Sequence, residues 1–238
     1  QLQESDRKQK ELDALRRELV AWAGHDLQTP LTSIRLAVEA LADGVVEDAP
    51  TQQRYLRTTQ REVQRLSNLI DDMFQIAQMD AGGLRLDITG NCLSDLISDT
   101  LESFSAQAAN QQVALTGSVQ PGVDPARMDA RRFGRVLNNL VANALRYTPA
   151  GGSILISAYR QSGDVIVEVT DSGQGIDPQD LPHIFERFYR GEKSRSQANG
   201  GSGLGLAIAK GIIEAHHGTI SVESQPVHGT HFTITLPG

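Results

Sequence analysis

The sequence predicts an α+β protein, in which an antiparallel helical hairpin is followed by a two-layer α/β sandwich. In the first third of the chain, apolar residues recur at steps of three and four, the period of one helix face. Beyond residue 84, short β-rich segments alternate with helical ones, and several are joined by hairpin turns. Strands that pair through hairpins argue against a doubly wound parallel sheet. The change in pattern predicts two domains, residues 1–81 and 84–238.

The hairpin is predicted from two amphipathic helices that flank a turn over residues 43–51, where Gly44 and Pro50 act as helix breakers. The second helix ends at Gly82–Gly83, since glycine tolerates the positive φ that ends helices. The apolar stripe of the first helix comprises Leu12, Leu15, Leu19, Trp22, Leu27, Ile34, Val38 and Leu41. That of the second comprises Tyr55, Leu56, Val63, Leu66, Leu69, Ile70, Met73, Phe74 and Ala77.

A helical hairpin of this kind leaves one apolar face open. Two copies close that face as a four-helix bundle, so the pattern predicts a homodimer through residues 1–80. The alternative is that the face packs on the rest of the same chain.

The second domain is predicted to contain six strands and three helices. The strands are expected at 84–89, 113–118, 153–160, 164–171, 219–225 and 230–237. The helices are expected at 91–109, 129–147 and 203–218. The strand pairs on either side of Gly163 and at the end of the chain have the pattern of β-hairpins.

Composition excludes several classes of protein. The formal net charge of −7 over 238 residues argues against a general nucleic-acid binder. A single cysteine, Cys92, excludes a disulfide framework and a Cys-rich zinc site. No apolar run approaches the ~20 residues that cross a bilayer, and no signal peptide is recognisable. Because the chain opens on Gln1 and not on Met, we expect a fragment or a processed product. The fragment is expected to be cytoplasmic, and whether its parent protein is anchored to a membrane through upstream segments is left open.

His25 is the first candidate for chemistry. On a straight helix it lies about 180° from Ile34 and faces water. Asp26 follows it and Thr29 lies one turn on, while Pro30 lacks the N–H of a helical residue and is expected to kink the axis. A neutral imidazole is a nucleophile whose ring proton a nearby carboxylate can accept, and Thr29 could orient water. The alternative is a surface histidine beside a tolerated kink.

Two asparagines and an arginine share one side of the 129–147 helix. Asn139 and Asn143 lie four residues apart, and their amide oxygens suit Mg²⁺, which usually brings phosphates with it. Arg146 lies nearly on the same side and could meet a phosphate. The alternative is a capping or solvated asparagine pair.

Two glycine-rich segments predict a nucleotide pocket. Asp171 ends a strand and offers a carboxylate to an adenine amino group, while Gly173 and Gly175 let the backbone approach a flat ligand. The second segment, 200–206, opens a helix whose first N–H groups can bind phosphate, but it matches neither a Walker loop nor a Rossmann fingerprint. An ordinary turn is the alternative for the first segment.

A polar stretch at 190–200 precedes the second glycine segment. Having almost no apolar residue, it is expected to stay mobile until a ligand orders it, as lids do. Before it, residues 184–190 are expected to expose aromatic side chains next to Arg187 and Arg190. A small packed helix that anchors the lid is the alternative.

These segments resemble the boxes of bacterial sensor histidine kinases. The phospho-acceptor box resembles GHDLQTPLTSIR, and the asparagine box NNLVANALRYTP. The two glycine boxes are similar to DSGQGI and GGSGLGLAIAK, the phenylalanine box to IFERFYRG, and the closing strand to HGTHFTITLP. All occur in family order, and the resemblance covers residues ~10 to 238.

The resemblance implies a dimerisation and histidine-phosphotransfer hairpin followed by an ATP-binding domain of the gyrase and histidine-kinase ATPase type. It implies His25 as phospho-acceptor, Asp26 as its base and Thr29 as the position used for phosphatase activity. It also implies that Asn143, assisted by Asn139, holds Mg²⁺. The implied nucleotide site further includes Arg146, Tyr147, Asp171, Gly173, Gly175, Gly201, Gly203, Leu204, Gly205 and Thr230.

Two residues depart from the family pattern. Asp26 stands where glutamate is commoner, and Gln28 stands where arginine is frequent. Neither departure removes a required chemical group.

The implied reaction is ATP-dependent autophosphorylation on His25, followed by transfer to an aspartate of a response-regulator receiver domain. One alternative is an ATP-binding signalling module with little kinase activity that acts as a phosphatase. Another is a gyrase- or chaperone-type ATPase, in which an acid would be expected where Asn139 stands.

Overall fold

The computed structural model describes Gly24 and residues 26–191 and 202–238. These residues belong to two compact units, Gln1–Phe74 and Gln75–Gly238, which are described separately. His25, Gly201, the start of the predicted first stripe and residues 192–200 of the predicted lid lie outside the described residues. Within the described ranges, no helix is both long enough and apolar enough to span a membrane.

The first unit contains most of a helical hairpin, and the last six residues of the second helix, 75–80, belong to the second unit. Helix α1 covers residues 26–42 and continues through the buried Pro30, and helix α2 is Ala49–Asp80. The turn between them contains Gly44 at a φ of +67°, as predicted. The predicted turn was too long at its far end, because Pro50 belongs to the first turn of α2. A proline is tolerated there, since its missing N–H would have no helical partner.

The start of α2 is capped by Asp48, whose Oδ1 accepts a hydrogen bond of 2.8 Å from the backbone N–H of Thr51. Its end has the predicted glycine termination: Gly82 has a φ of +62°, and the N–H of Gly83 donates to the carbonyl of Gln78.

The hairpin exposes much of its apolar stripe in the single chain. Three apolar residues of α2 follow one another at intervals of seven and are about half exposed: Leu56 at 55%, Val63 at 48% and Ile70 at 53%. On α1, Val38 is 49% exposed. Apolar residues at seven-residue intervals along a helix are the pattern of a helix–helix seam.

The second unit is built on a five-stranded mixed sheet. Its strands are Ala114–Val119 (β2), Ser153–Gln161 (β4), Asp164–Asp171 (β5), Thr219–Gln225 (β6) and Gly229–Leu236 (β7). They lie in the order β2-β4-β5-β7-β6. The predicted β4–β5 and β6–β7 hairpins are both antiparallel, β5 pairs antiparallel with β7, and β2 pairs parallel with β4.

The predicted strand at 84–89 was wrong. The first strand, β1, is Thr89–Asn91, and it pairs antiparallel with the short β3, Ala126–Met128, which the sequence did not predict. Leu84 and Leu86 are both half-buried between exposed neighbours, but this segment forms no strand. Alternating burial describes an extended chain, whereas a strand also needs a neighbour that accepts and donates its backbone hydrogen bonds.

The predicted helices of this unit are present, and together they make it a two-layer sandwich. They are α3 at Leu93–Asn110, α4 at Ala130–Tyr147 and α5 at Gly205–Ala215. Helix α4 contacts both of the others. Asp129 caps it by accepting a hydrogen bond from the N–H of Arg132. The core between the layers includes the fully buried Phe133, Leu137, Leu140, Ile154, Ile156, Val167, Ile208, Ile212 and Ile234.

Candidate functional site

Asp171 lies at the end of β5, directly opposite Thr230 at the start of β7. Both residues are 7% exposed. Two backbone N–H groups donate to the same carboxylate oxygen, Oδ1: that of Gly173 at 2.8 Å and that of Thr230 at 3.2 Å. Burial raises the pKa of Asp171, and the two hydrogen bonds partly oppose that rise. With Oδ1 occupied, Oδ2 can accept a hydrogen bond from a ligand.

The first glycine segment is closely packed. A Cβ on Gly173 would lie 2.7 Å from the carbonyl oxygen of Tyr147, and one on Gly175, whose φ is +70°, would collide with the carbonyl of Gln225. The same Tyr147 carbonyl accepts a hydrogen bond of 3.1 Å from the N–H of Gln174. The two predicted glycines therefore let the turn after Asp171 pack between the end of α4 and β6.

Asn139 connects α4 to the start of α5. Its Nδ2 donates a hydrogen bond of 2.9 Å to the carbonyl of Gly205, the first residue of α5. Because the amide nitrogen is used in this way, Oδ1 is the atom that Asn139 can offer to a ligand. Asn143 is half-buried one turn further along α4, and Arg146 is exposed in its last turn.

The second glycine segment is anchored by its neighbours. Gly203 has a φ of +72°, and its carbonyl accepts a hydrogen bond of 3.0 Å from the N–H of Phe188. Leu204, which precedes α5, has a fully buried side chain. Its backbone N–H donates a hydrogen bond of 3.2 Å to Ser202 Oγ, and its carbonyl accepts one of 2.8 Å from the N–H of Ile208.

The phenylalanine-rich segment differs from both sequence expectations. Residues 181–190 form turns, not a helix, and Phe185 and Phe188 are half-buried instead of exposed. The ring of Phe185 packs edge-on against Phe232 with centroids 6.3 Å apart, and Lys210 Nζ lies over the Phe185 ring, 5.7 Å from its centroid. The Phe185 ring therefore attaches this segment to the sandwich.

Sequence reasoning missed one contact entirely. The guanidinium of Arg187 forms two hydrogen bonds with the carboxylate of Asp80, of which Nη1 to Oδ2 measures 2.7 Å. No local signal in the sequence relates these two side chains.

The candidate acceptor segment is only partly described. Asp26 is half-buried and Thr29 is exposed on α1, one turn later. Around both sites, the described residues contain no group of three His, Cys, Asp or Glu side chains that suits a metal ion.

Comparison with known proteins identifies two domains. Residues 15–82 match the His Kinase A (phospho-acceptor) domain, and residues 128–238 match the histidine kinase-, DNA gyrase B- and HSP90-like ATPase. The mycobacterial sensor histidine kinase MprB is 30% identical, with 65% of this chain and 98% of the MprB chain covered and a TM-score of 0.53. The chain belongs to the sensor histidine kinases.

Other members of the family extend over longer chains. The sensor histidine kinase RppB of Synechocystis is 38% identical over 220 residues, which are 92% of this kinase and 48% of RppB. Histidine kinase ThkA, solved in complex with the response regulator protein TrrA, has a TM-score of 0.74 at 24% identity, over 98% of this chain and 65% of that one. This kinase thus carries the phospho-acceptor and ATP-binding domains and spans about half the length of RppB.

Proposed function

We propose that the ATPase domain binds ATP around Asp171 and transfers its γ-phosphate to His25. The observation that carries this proposal is the buried carboxylate of Asp171, held by two backbone donors on Oδ1 with Oδ2 left for a further donor. The amino group of adenine is such a donor. A keto group at that place would leave the carboxylate unpaired, which disfavours guanine.

The metal of this site is proposed to be Mg²⁺. The side chains fit it, because Asn139 commits its Nδ2 to Gly205 and keeps Oδ1 for a ligand, and Asn143 lies one turn away on the same helix. Bound there, Mg²⁺ would neutralise charge on the β- and γ-phosphates. Arg146 adds a cation at the end of α4, and the N-terminus of α5 from Gly205 onward offers N–H groups to phosphate.

At the acceptor, a ring nitrogen of His25 forms a bond to the γ-phosphorus while the bond from phosphorus to the bridging oxygen breaks and ADP leaves. Asp26 accepts the proton of the other ring nitrogen. Attack by an aspartate of a receiver domain then restores the free imidazole. Thr29, exposed one turn further on, would orient a water for hydrolysis of the phosphorylated regulator.

The proposed assembly is a homodimer through residues 1–80 that docks a response-regulator receiver domain. The half-exposed Leu56, Val63 and Ile70 support the dimer, because they are spaced as in a helix–helix seam. The complex of ThkA with TrrA supports the partner. Since ATP is the phosphate donor, we propose that this part of the protein acts in the cytoplasm.

Incubation with γ-labelled ATP tests the proposal. We expect an acid-labile, base-stable label that mass spectrometry maps to His25. His25→Gln should bind ATP and lose the label, whereas His228→Gln, in the exposed turn before β7, should keep it. No label on the unsubstituted protein would instead favour a phosphatase or binding module. Rapid ATP turnover by His25→Ala would favour a gyrase- or chaperone-type ATPase.

A further inference from the structure

Five polar side chains form a cluster on the sheet face opposite the buried core. This outer cluster consists of Ser157, Tyr159, Glu168, Thr170 and His231, which lie on β4, β5 and β7. The carboxylate of Glu168 accepts hydrogen bonds from Tyr159 at 2.9 Å and from Ser157 at 3.0 Å. The Nδ1 of His231 lies 2.7 Å from the hydroxyl of Thr170, and its Nε2 lies 3.7 Å from Glu168 Oε1.

The outer cluster lies directly behind the proposed adenine site. In the β5–β7 register, Thr170 faces His231 and Asp171 faces Thr230. Successive residues of a strand point to opposite faces of the sheet. The same two strands are therefore joined on one face by Thr170 and His231, and on the other by the Thr230 N–H on Asp171 Oδ1.

We propose that His231 is a positioning residue for the carboxylate of Asp171, and that its protonation tightens nucleotide binding. The imidazole binds the Thr170 hydroxyl and so fixes the distance between the end of β5 and β7. That distance preserves the hydrogen bond from the Thr230 N–H to Asp171. This inference rests on the proposed function, since it assigns a role to the strand pair that carries the adenine site.

Protonation changes what the ring can bind. A neutral imidazole has one N–H donor, and the Thr170 hydroxyl can either donate to Nδ1 or accept from it. The neutral ring therefore keeps the Thr170 hydrogen bond in either tautomer but carries no charge toward Glu168. A protonated ring donates to Thr170 and carries a positive charge, which attracts the Glu168 carboxylate 3.7 Å away. The contact between β5 and β7 is therefore stronger when His231 is protonated.

Three other titratable groups bear on this ring. Glu223 of β6 faces His231 in the sheet register and adds a second negative charge. Tyr159 of β4 donates to the same Glu168 oxygen, and this hydrogen bond raises the pKa of Tyr159, which keeps it a donor. On the opposite face, burial raises the pKa of Asp171, so acid eventually neutralises the adenine-binding carboxylate and weakens binding. The two effects of acid have opposite signs and arise from different residues.

Calorimetric titration of the full chain with ATP at about pH 6 and about pH 8 tests the proposal, because histidine side chains change charge in this range. The unsubstituted protein should bind ATP about two- to fivefold more tightly at the lower pH, the range expected for one partly exposed ion pair. His231→Gln, which cannot acquire charge, should lose that difference. The matched control, His228→Gln, should retain it.

Glu168→Gln is the second variant. It keeps acceptors and donors for Tyr159 and Ser157 but removes the negative charge beside the ring, so it should reduce the pH difference. An unchanged pH profile in His231→Gln would overturn the proposal. So would an equal loss of affinity at both pH values, which would indicate a structural role only.

Failure of this inference and failure of the proposed function give different results. If ATP binds and Asp171→Asn weakens it while His231→Gln behaves like the unsubstituted protein, only the role of His231 is wrong. If the unsubstituted chain binds no ATP at either pH, the nucleotide site itself is wrong, and the role of His231 is wrong with it.

Discussion

Arg187 and Asp80 lie 107 residues apart in the chain and form an ion pair with two hydrogen bonds. Each side chain is 26% exposed. The pair attaches the last turn of α2 to the turns that precede the second glycine segment. The same last turn carries Ile76, which is 1% exposed, and Met79, whose sulfur lies 2.8 Å from where a Cβ on Gly211 would be. The end of α2 is therefore held to its unit by apolar packing and by one ion pair.

Loss of this ion pair should destabilise the unit that contains it. Asp80→Asn leaves a partly buried guanidinium without a counter-charge, and we expect a loss of about 1 kcal/mol of unfolding free energy. Urea denaturation measures the loss. Asp99→Asn, at an exposed site on α3, is the control and should be nearly neutral. In a double-mutant cycle with Arg187→Gln, strictly additive effects would show that the two side chains do not interact.

Asp171→Asn should stabilise the nucleotide-free protein while it weakens ATP binding. Because burial raises the pKa of Asp171 above its unfolded value of about 3.9, the folded state holds the proton more strongly. Stability is therefore lost as pH rises from the unfolded pKa through the folded one. At neutral pH, the free energy of unfolding of Asp171→Asn should exceed that of the unsubstituted protein by roughly 1 kcal/mol. At a pH below both the folded and the unfolded pKa of Asp171, the two proteins should be equally stable.

Thermal denaturation at several pH values measures that gain in stability. Competition between ATP and GTP measures the preference of the site for adenine over guanine. We expect the preference for ATP over GTP to narrow in Asp171→Asn, because an amide can pair with either base edge. An unchanged preference would mean that another group binds the base.

Two glycines with positive φ should differ in their tolerance of alanine. Gly151 has a φ of +84°, and no atom lies within 4 Å of the position that a Cβ would take, so Gly151→Ala should cost about 1 kcal/mol from the backbone alone. A Cβ on Gly175 would also collide with the carbonyl of Gln225, and Gly175→Ala should cost at least about twice as much. Chemical denaturation compares the two, and equal losses would contradict the collision.

The apolar seam of Leu56, Val63 and Ile70 on α2 predicts a dimer, which a charged substitution in the seam should disrupt. Ile70→Glu places a carboxylate among apolar side chains, and we expect the dissociation constant to rise about tenfold or more. Val227→Glu is the control, because Val227 is 83% exposed in the turn before β7. Sedimentation equilibrium gives both constants. A monomer in the unsubstituted protein, or equal dimers in both variants, would argue that the stripe packs elsewhere.

Asn143→Ala should weaken binding of ATP in the presence of Mg²⁺ far more than binding of ADP without it. The reason is that the variant removes an amide oxygen suited to the metal and leaves Asp171 intact. Calorimetry with and without Mg²⁺ separates the two effects. The matched substitution is Asn138→Ala, at an exposed position on the same helix. Equal weakening in both conditions would assign Asn143 a metal-independent role.

Local patterns in the sequence predicted most of the elements. The helical spacing of apolar residues located α3, α4 and α5 to within a few residues, and the residues around Gly163 predicted the β4–β5 hairpin. These features are local because they depend on backbone preference and on side-chain period. The same reasoning failed at 84–89, where alternating residues do not make a strand without a partner, and at β3, which is too short to show a period.

The glycine segments and Asp171 could be recognised as site candidates from the chain alone, because a carboxylate followed by Gly173 and Gly175 is a local pattern. The partners of these residues could not. The bond from Asn139 to Gly205 and the position of His231 behind Asp171 depend on which elements become neighbours.

By itself, the sequence determined where the chain turns, which residues form helices and strands, and which polar groups are available for chemistry. Those properties follow from φ preferences and from the alternation of apolar and polar side chains over a few residues. Only the tertiary structure decided that β2 lies parallel to β4, that both Oδ1 bonds of Asp171 come from backbone N–H groups, and that Arg187 reaches Asp80. Such contacts join residues far apart in the chain, and their geometry is set by packing of the whole unit.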